Sequence, residues 1–324
     1  SEENLMRLDK TELILLGVAV LLALSGLIAP QWLVFLLTMA LAKSMVVQGV
    51  VMQMRAGLVT FGQGLYFCIG GYAVGMSGHF LSISDLPTLL LIGVGAAVAL
   101  AMLLGLLMTR YREIFFAMLS LAFSMILYGM LVKSPALGST DGFNVKPWTL
   151  FGWSPAAGQA PLALFVIIVA VTAVLAVLLH RYGRSSAGAM CEAIRENEVR
   201  VEYLGQSPRW VLYMNYVAAA GVSAMGGGFM ALAAGHIDPE MAYWITSGEF
   251  VFIALLGGTA HVAAPIIAAI LFAVVRTYAI ELVPHSWQMI LGITLLAIII
   301  FLPKGLWSLF SGQARAAKAV EAKA

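Results

Sequence analysis

Residues 87–109 read PTLLLIGVGAAVALAMLLGLLMT, a stretch without a single charge set between Asp85 and Arg110. A helix rises about 1.5 Å per residue, so this stretch spans the roughly 30 Å hydrocarbon core of a bilayer. Periodicity does not decide the assignment, because helices surrounded by lipid and protein are apolar all round. Backbone chemistry decides it. In hydrocarbon only helices and closed barrels satisfy every N–H and C=O, and alternating barrel strands are absent from this sequence. Working outward, comparable runs lie at 11–29, 31–54, 57–80, 113–132, 161–180, 210–235, 261–282 and 286–302. A shorter one, 242–258, is interrupted by Ser247, Gly248 and Glu249. The expectation is an all-α integral membrane protein of about ten transmembrane helices, the eighth short or irregular.

Composition agrees. The 324 residues are 61% apolar and only 10% charged, against roughly 25% charged in an ordinary soluble domain. About 200 apolar residues supply roughly ten crossings at about 20 residues each. A soluble enzyme, a disulfide scaffold, a disordered chain and a nucleic-acid-binding domain are excluded, and a net charge of +2 marks no polyanionic partner. Cys68 sits in an apolar run and Cys191 in a charged loop, at different depths, so no disulfide framework is available. Arg7 and Lys10 ahead of Leu13 to Ala29 superficially resemble a signal peptide. That run is long for a signal sequence and Pro30 leads into another, so it reads as a retained first membrane helix.

Lys and Arg in short loops favour the cytoplasm. They cluster at Arg55, at Arg110 and Arg112, in the 181–209 loop (Arg181, Arg184, Arg195, Arg200, Arg209) and in the tail (Lys304, Arg315, Lys318, Lys323), whereas 134–160 carries only Lys146 and Asp141. Placing every basic cluster inside requires both termini inside, and that parity requires 242–258 to cross. The chain divides into a cytoplasmic N-terminus (1–10), one transmembrane domain (11–303) with a cytoplasmic loop (181–209), and a cytoplasmic tail (304–324).

Segment 57–80 holds Gly57, Gly62, Gly64, Gly70, Gly71, Gly75 and Gly78. Two readings stand: close helix packing through small faces, or a broken helix lining a polar cavity. Gly257 and Gly258 before Pro265 interrupt the other half of the chain, and paired breaks point to a translocation site. Gly62, Gln63, Gly64 and Tyr66 are candidates for a substrate route, since a glycine-flanked amide offers hydrogen bonds. Lys43, at the middle of its segment, must face protein or water, and Glu249 lies at similar depth. An ion pair between them is expected, near the pathway or an interface, or as a purely structural pair. Arg276, in the outer third of its segment, reaches toward the interface.

Catalytic signals are missing from the sequence: no phosphate loop, no G-x-S-x-G, no H-E-x-x-H, and no paired histidine ligands for a metal. No catalytic or metal-ligating residues and no cofactor are assigned. The 181–209 loop carries more. Ser185 and Ser186 can cap a helix that Gly205 and Pro208 stop, with Met190, Ile194, Val201 and Leu204 on one stripe and Ala193 beside them. Glu192 with Arg195, and Glu196 with Arg200, occupy the other face. Its acids disfavour anionic lipid and favour docking on a protein over lying on headgroups.

The run GAMCEAIRENE at 188–198, continued to Gly205, resembles the coupling loop of ATP-binding-cassette importer permeases, in particular the LivM-type permeases of branched-chain amino acid importers. AGLVTFGQGLYF at 56–67 through Gly75, FAMLSLAFS at 116–124 with GSTDG at 138–142, and Asp238-Pro-Glu, Ser247-Gly-Glu249 and LGGTA at 256–260 with Pro265 resemble further elements of that family, in the same order. Gln63 stands where a histidine is common, and Ala260 and Ala264 where glycines are. The resemblance implies a type II importer permease fold and a subunit that forms the translocation path for branched-chain or related amino acids. Its implied partners are a second, LivH-type permease, two ATPase subunits that bind ATP and Mg, a soluble substrate-binding protein and the inner-membrane bilayer. Met190, Glu192, Ala193, Ile194, Arg195, Glu196, Leu204 and Gly205 would couple it to an ATPase. Rival expectations are the same machinery carrying urea, short amides or organic and aromatic acids, and an ion-coupled secondary transporter working alone.

Overall fold

The computed structural model describes residues 9–156, 158–282, 284, 286–302 and 305–310. Each of the ten apolar stretches carries one helix: α1 (Lys10–Ser25), α2 (Gln31–Arg55), α3 (Gln63–Phe80), α4 (Leu86–Met108), α5 (Glu113–Val132), α6 (Ala160–Arg184), α8 (Pro208–Ala234), α9 (Trp244–Gly257), α10 (Ala264–Leu282) and α11 (Trp287–Phe301). Between them lies α7 (Ser186–Tyr203), and a short α12 (Trp307–Phe310) follows. Among the described residues six helices, α2, α4, α5, α6, α8 and α10, are long and apolar enough to cross a membrane, and α9 is a shorter apolar helix. The N-terminal residues 1–8 and the tail residues 311–324, with their basic groups, lie outside the described residues.

The core is built around α8, whose contacts with α2 and α3 are the most extensive in the molecule. Residues 218–228 of α8 read AAAGVSAMGGG, and this small face lets backbones touch. A side chain on Gly227 would run into the Phe67 backbone of α3, and one on Gly70 of α3 into the Ala224 backbone. On the other side, a side chain on Gly49 of α2 would come within 2.9 Å of the Ala219 carbonyl oxygen. The helices α4 and α5 are mostly exposed and form the periphery, while α2 and α8 are mostly buried.

The run expected as one segment over 57–80 is helical only from Gln63. Gly57 adopts φ +79° and starts an irregular stretch that turns the chain into the bundle. Close packing accounts for Gly62, Gly64 and Gly70, whose Cβ positions meet atoms of neighbouring segments, while Gly57 opens the irregular entry. The interruption at Gly257 and Gly258 falls where the sequence puts it: α9 ends there, Gly258 has φ +82°, and Pro265 sits in the first turn of α10.

The two ends of the bundle differ. At one, Arg181 makes two hydrogen bonds to Glu12 (2.7 and 3.1 Å), Arg184 pairs with Asp9, Arg55 Nε donates to the Thr259 carbonyl (2.8 Å) and Arg209 to the Leu106 carbonyl (3.1 Å). At the other, β1 (Phe143–Asn144) pairs antiparallel with β2 (His236–Ile237), Val145 N–H donates to the Gly235 carbonyl (2.9 Å) and Leu86 N–H to the Thr149 carbonyl (2.8 Å). There too the exposed Asp85 accepts from the Thr88 hydroxyl and the Phe151 N–H, which hold its carboxyl below the usual range.

Replacing Gly227 by Val should separate α3 from α8 and destabilise the fold by about 1–3 kcal/mol or more. Gly95, whose Cβ position has nothing within 4 Å, should accept Ala with a gain of up to about 1 kcal/mol. Thermal denaturation followed by size-exclusion chromatography in detergent distinguishes the two, with loss of the monodisperse peak at lower temperature expected for Gly227→Val alone.

Candidate functional site: the α7 loop and the charged interior

Ser185 caps α7, its hydroxyl accepting the Gly188 N–H at 3.4 Å, and Gly205 with φ +79° ends the turn that follows before Pro208 opens α8. The expected single helix is bent. Asn197 has extended backbone angles (φ −161°, ψ 100°), and its side-chain oxygen accepts the Arg200 N–H at 3.0 Å, capping a second short helical piece. Asn is a poor interior helix former and a strong cap, so Asn197 is the sequence's own signal for this bend.

The apolar stripe faces inward. Ile194 and Val201 are buried, together with Cys191, against Leu58, Phe116 and Leu212 of the same chain, and Met190 and Ala193 are half-buried there. Burial also pushes the Cys191 thiol up. Leu204, expected on that stripe, is 74% exposed: the helix ends at Tyr203 and Leu204 is its C-cap, whereas Val201 within it stays buried. Glu192, Arg195, Glu196, Leu204 and Gly205 lie on the outer face, joined by Val199 and Tyr203. Those last two apolar residues fall off the stripe, and that misplacement was their legible signal.

The outer face is tied to the bundle at two turns. Arg112, between α4 and α5, grips Glu198 with both arms of its guanidinium (Nε to Oε2 3.0 Å, Nη2 to Oε1 2.7 Å) and donates to the Thr109 carbonyl (2.6 Å). Such two-point pairs fix orientation as well as distance. Gly57, between α2 and α3, lies against Arg195, where an added Cβ would sit 3.4 Å from the Arg195 Cα. Behind the loop, the Tyr182 hydroxyl donates to Asn215 (3.1 Å), and the His261 ring stacks on Trp307 at 4.0 Å between centroids.

The interior candidates separate into two sets. Gly62, Gln63, Gly64 and Tyr66 are packed: a Cβ on Gly62 would come within 2.9 Å of the Ser120 carbonyl oxygen, and Gly64 N–H donates to the Ser247 hydroxyl (3.2 Å). Gln63 Oε1 accepts from the Ser223 hydroxyl (2.7 Å), and the Tyr66 hydroxyl donates to that of Tyr216 (2.6 Å). The Gln63 amide nitrogen is buried without a partner among the described residues. Lys43 and Glu249 form the second set. They pair as their depths suggested, and Arg276 turns onto the same carboxylate (3.1 and 3.2 Å) rather than to the interface. Those two residues line a cavity of about 440 Å³ together with Arg276.

Residues 32–300, which include all of these candidates, match the family described as branched-chain amino acid transport system / permease component. The chain belongs to this family. Its relatives include the high-affinity branched-chain amino acid transport system permease protein LivM of Escherichia coli K12, 29% identical over 273 residues, covering 78% of this chain and 64% of that protein. The corresponding LivM of Salmonella typhimurium LT2 is 27% identical over 293 residues, covering 82% of this chain and 68% of its own. The chain thus spans slightly less than two thirds of the Escherichia coli protein. No solved structure matches it.

In this family member the Arg112–Glu198 pair should hold the second piece of α7. Glu198→Gln should weaken it by about 1 kcal/mol, a value discounted for its partial exposure, and accelerate limited proteolysis between Val199 and Gln206. A pH effect should arise at His261, whose pKa is lowered first by burial, then by His180 and Arg55. The unfolded chain binds that proton more readily, so the stabilisation is present above about pH 6.5 and lost as pH falls through the lower folded value. Thermal scans from pH 7.5 to 5 should show this loss in the parent chain and a flatter profile in His261→Phe.

Proposed function

We propose that the chain is a permease subunit of an ATP-binding-cassette importer, forming the path for branched-chain or related amino acids with a second, LivH-type permease. ATP and Mg would act on two separate ATPase subunits, and a soluble binding protein would deliver cargo at the β1–β2 end. The observation that carries the reading is the outer face of α7: a bent, capped element at the basic end of a membrane bundle, clamped to the α4–α5 turn by Arg112 and Glu198. A push on that face has a short mechanical route into the membrane helices. The relatives' names, as branched-chain amino acid permeases, support the cargo class.

In this reading all ten apolar helices cross, with α1, α3, α9 and α11 as the short ones. The type II importer arrangement and an inner-membrane location belong to the same proposal. Both termini and α7 would be cytoplasmic, by the preference of Arg and Lys for that side. Docking on the ATPase would use Glu192, Arg195, Glu196, Tyr203, Leu204 and Gly205, with Ile194, Met190 and Ala193 seating the loop from beneath.

Tagged chain purified from its own host in mild detergent should retain a second permease and a P-loop ATPase. The double variant Tyr203→Asp, Leu204→Asp should lose the ATPase and keep the permease, whereas Ile194→Ala should lower the chain's own stability. A chain that purifies alone and moves substrate without ATP sinks the proposal in favour of a secondary transporter.

A further inference from the structure

Lys43 lies twelve residues from each end of α2, with about 18 Å of helix on either side, where an ionised group is most costly. Both oxygens of Glu249 are engaged there, one by Lys43 and both by Arg276. Two cations and one carboxylate leave one positive charge in excess. Among the described residues neither Lys43 nor Arg276 donates to any other group. The rest of the guanidinium rests 5.2 Å from the centroid of the Trp287 ring, an attraction that does not cancel its charge.

The cavity of about 440 Å³ opens onto this excess charge between α2 and α10. Its size falls in the roughly 300–1,000 Å³ range of small-molecule sites. Phe35, Leu36, Met39, Met230 and Phe272 give it apolar walls, and Lys43, Glu249 and Arg276 form its polar end. An aliphatic body with a single anionic head suits that division. A lipid headgroup would have to reach Lys43, about 18 Å of helix from either end of α2.

We propose that this cavity is a carboxylate-binding subsite of the translocation path, in which the uncommitted donors of Lys43 and Arg276 receive the cargo's carboxylate and Glu249 holds the two cations in place. The inference rests on the permease reading and narrows its cargo to carboxylates, either an α-amino acid or a deaminated acid, and away from urea and amides.

The test uses the full chain assembled with its partner subunits in proteoliposomes, measuring ATP-driven uptake of L-leucine, 4-methylpentanoate, L-leucinamide and urea. The parent complex should carry a carboxylate-bearing probe at least about tenfold better than the amide or urea, the scale of one charge-assisted hydrogen bond. Whether leucine or 4-methylpentanoate is preferred identifies the source of the carboxylate. Arg276→Gln leaves a balanced Lys43–Glu249 pair. It should raise KM for the preferred acid by about tenfold to a hundredfold and narrow the preference over the amide, at unchanged yield of complex, with Arg276→Lys recovering part of both. Unchanged KM and preference in Arg276→Gln overturns the subsite, as does failure of both Arg276 variants to assemble, which makes the residue a scaffold. A parent complex that carries urea and amide as well as acids overturns the subsite and leaves the permease reading standing. One that moves no probe with ATP overturns both.

Discussion

Backbone contact between α8 and its two neighbours is the constraint on which the other features depend. Lipid tails are as apolar as leucine, so helices in a bilayer gain little by merely covering apolar surface and associate through close packing instead. The run from Ala218 to Gly228 supplies a face without bulk, and α2 and α3 approach it through Gly49 and Gly70. Lys43 and Gln63 are carried on those two helices. Their polar ends are held at mid-bundle because the helices that bear them cannot move apart without losing this contact. The same packing seats the Gly62–Tyr66 turn, whose hydrogen bonds run to α8 and α9.

The loop between α6 and α8 solves a different problem. An amphipathic helix usually shows its apolar stripe to whatever partner it meets, but here Ile194 and Val201 are already covered by the parent bundle. What remains outside is a mixed surface of charges with Val199, Tyr203 and Leu204 exposed among them. The bend at Asn197 makes this possible by aiming the two pieces differently. The Glu198 contact with Arg112 then sets the angle between the second piece and the membrane helices.

Much of this was legible from residues alone, for reasons that differ by feature. Long apolar runs identify helices because hydrocarbon leaves the backbone no other choice, and the cost of burying Lys43 demanded a partner at its own depth, which Glu249 provided. The irregular entry at 57–62 was not separable from α3, since glycine and apolar residues compose both and only the left-handed angle at Gly57 parts them. The position of Arg276 in the sequence points to the interface, because a long side chain there can reach out. Nothing local in the sequence shows that α10 instead turns it toward α9. The burial of Ile194 depended on contacts with Leu58, Phe116 and Leu212, distant in sequence, which no reading of the loop by itself contains.

The ends of the bundle are fastened by different forces, and that difference has a consequence. The β1–β2 end is stitched chiefly by backbone hydrogen bonds, which mobile ions hardly disturb. The α7 end is fastened by Arg181 on the buried Glu12 and by two more exposed pairs, Arg184 on Asp9 and Arg112 on Glu198. Exposed ion pairs weaken as the Debye length shrinks, from about 10 Å at 0.1 M salt to about 3 Å at 1 M. Ionic strength is therefore a one-sided lever on this molecule: raising it slackens the fastening around α7 while the opposite rim stays shut.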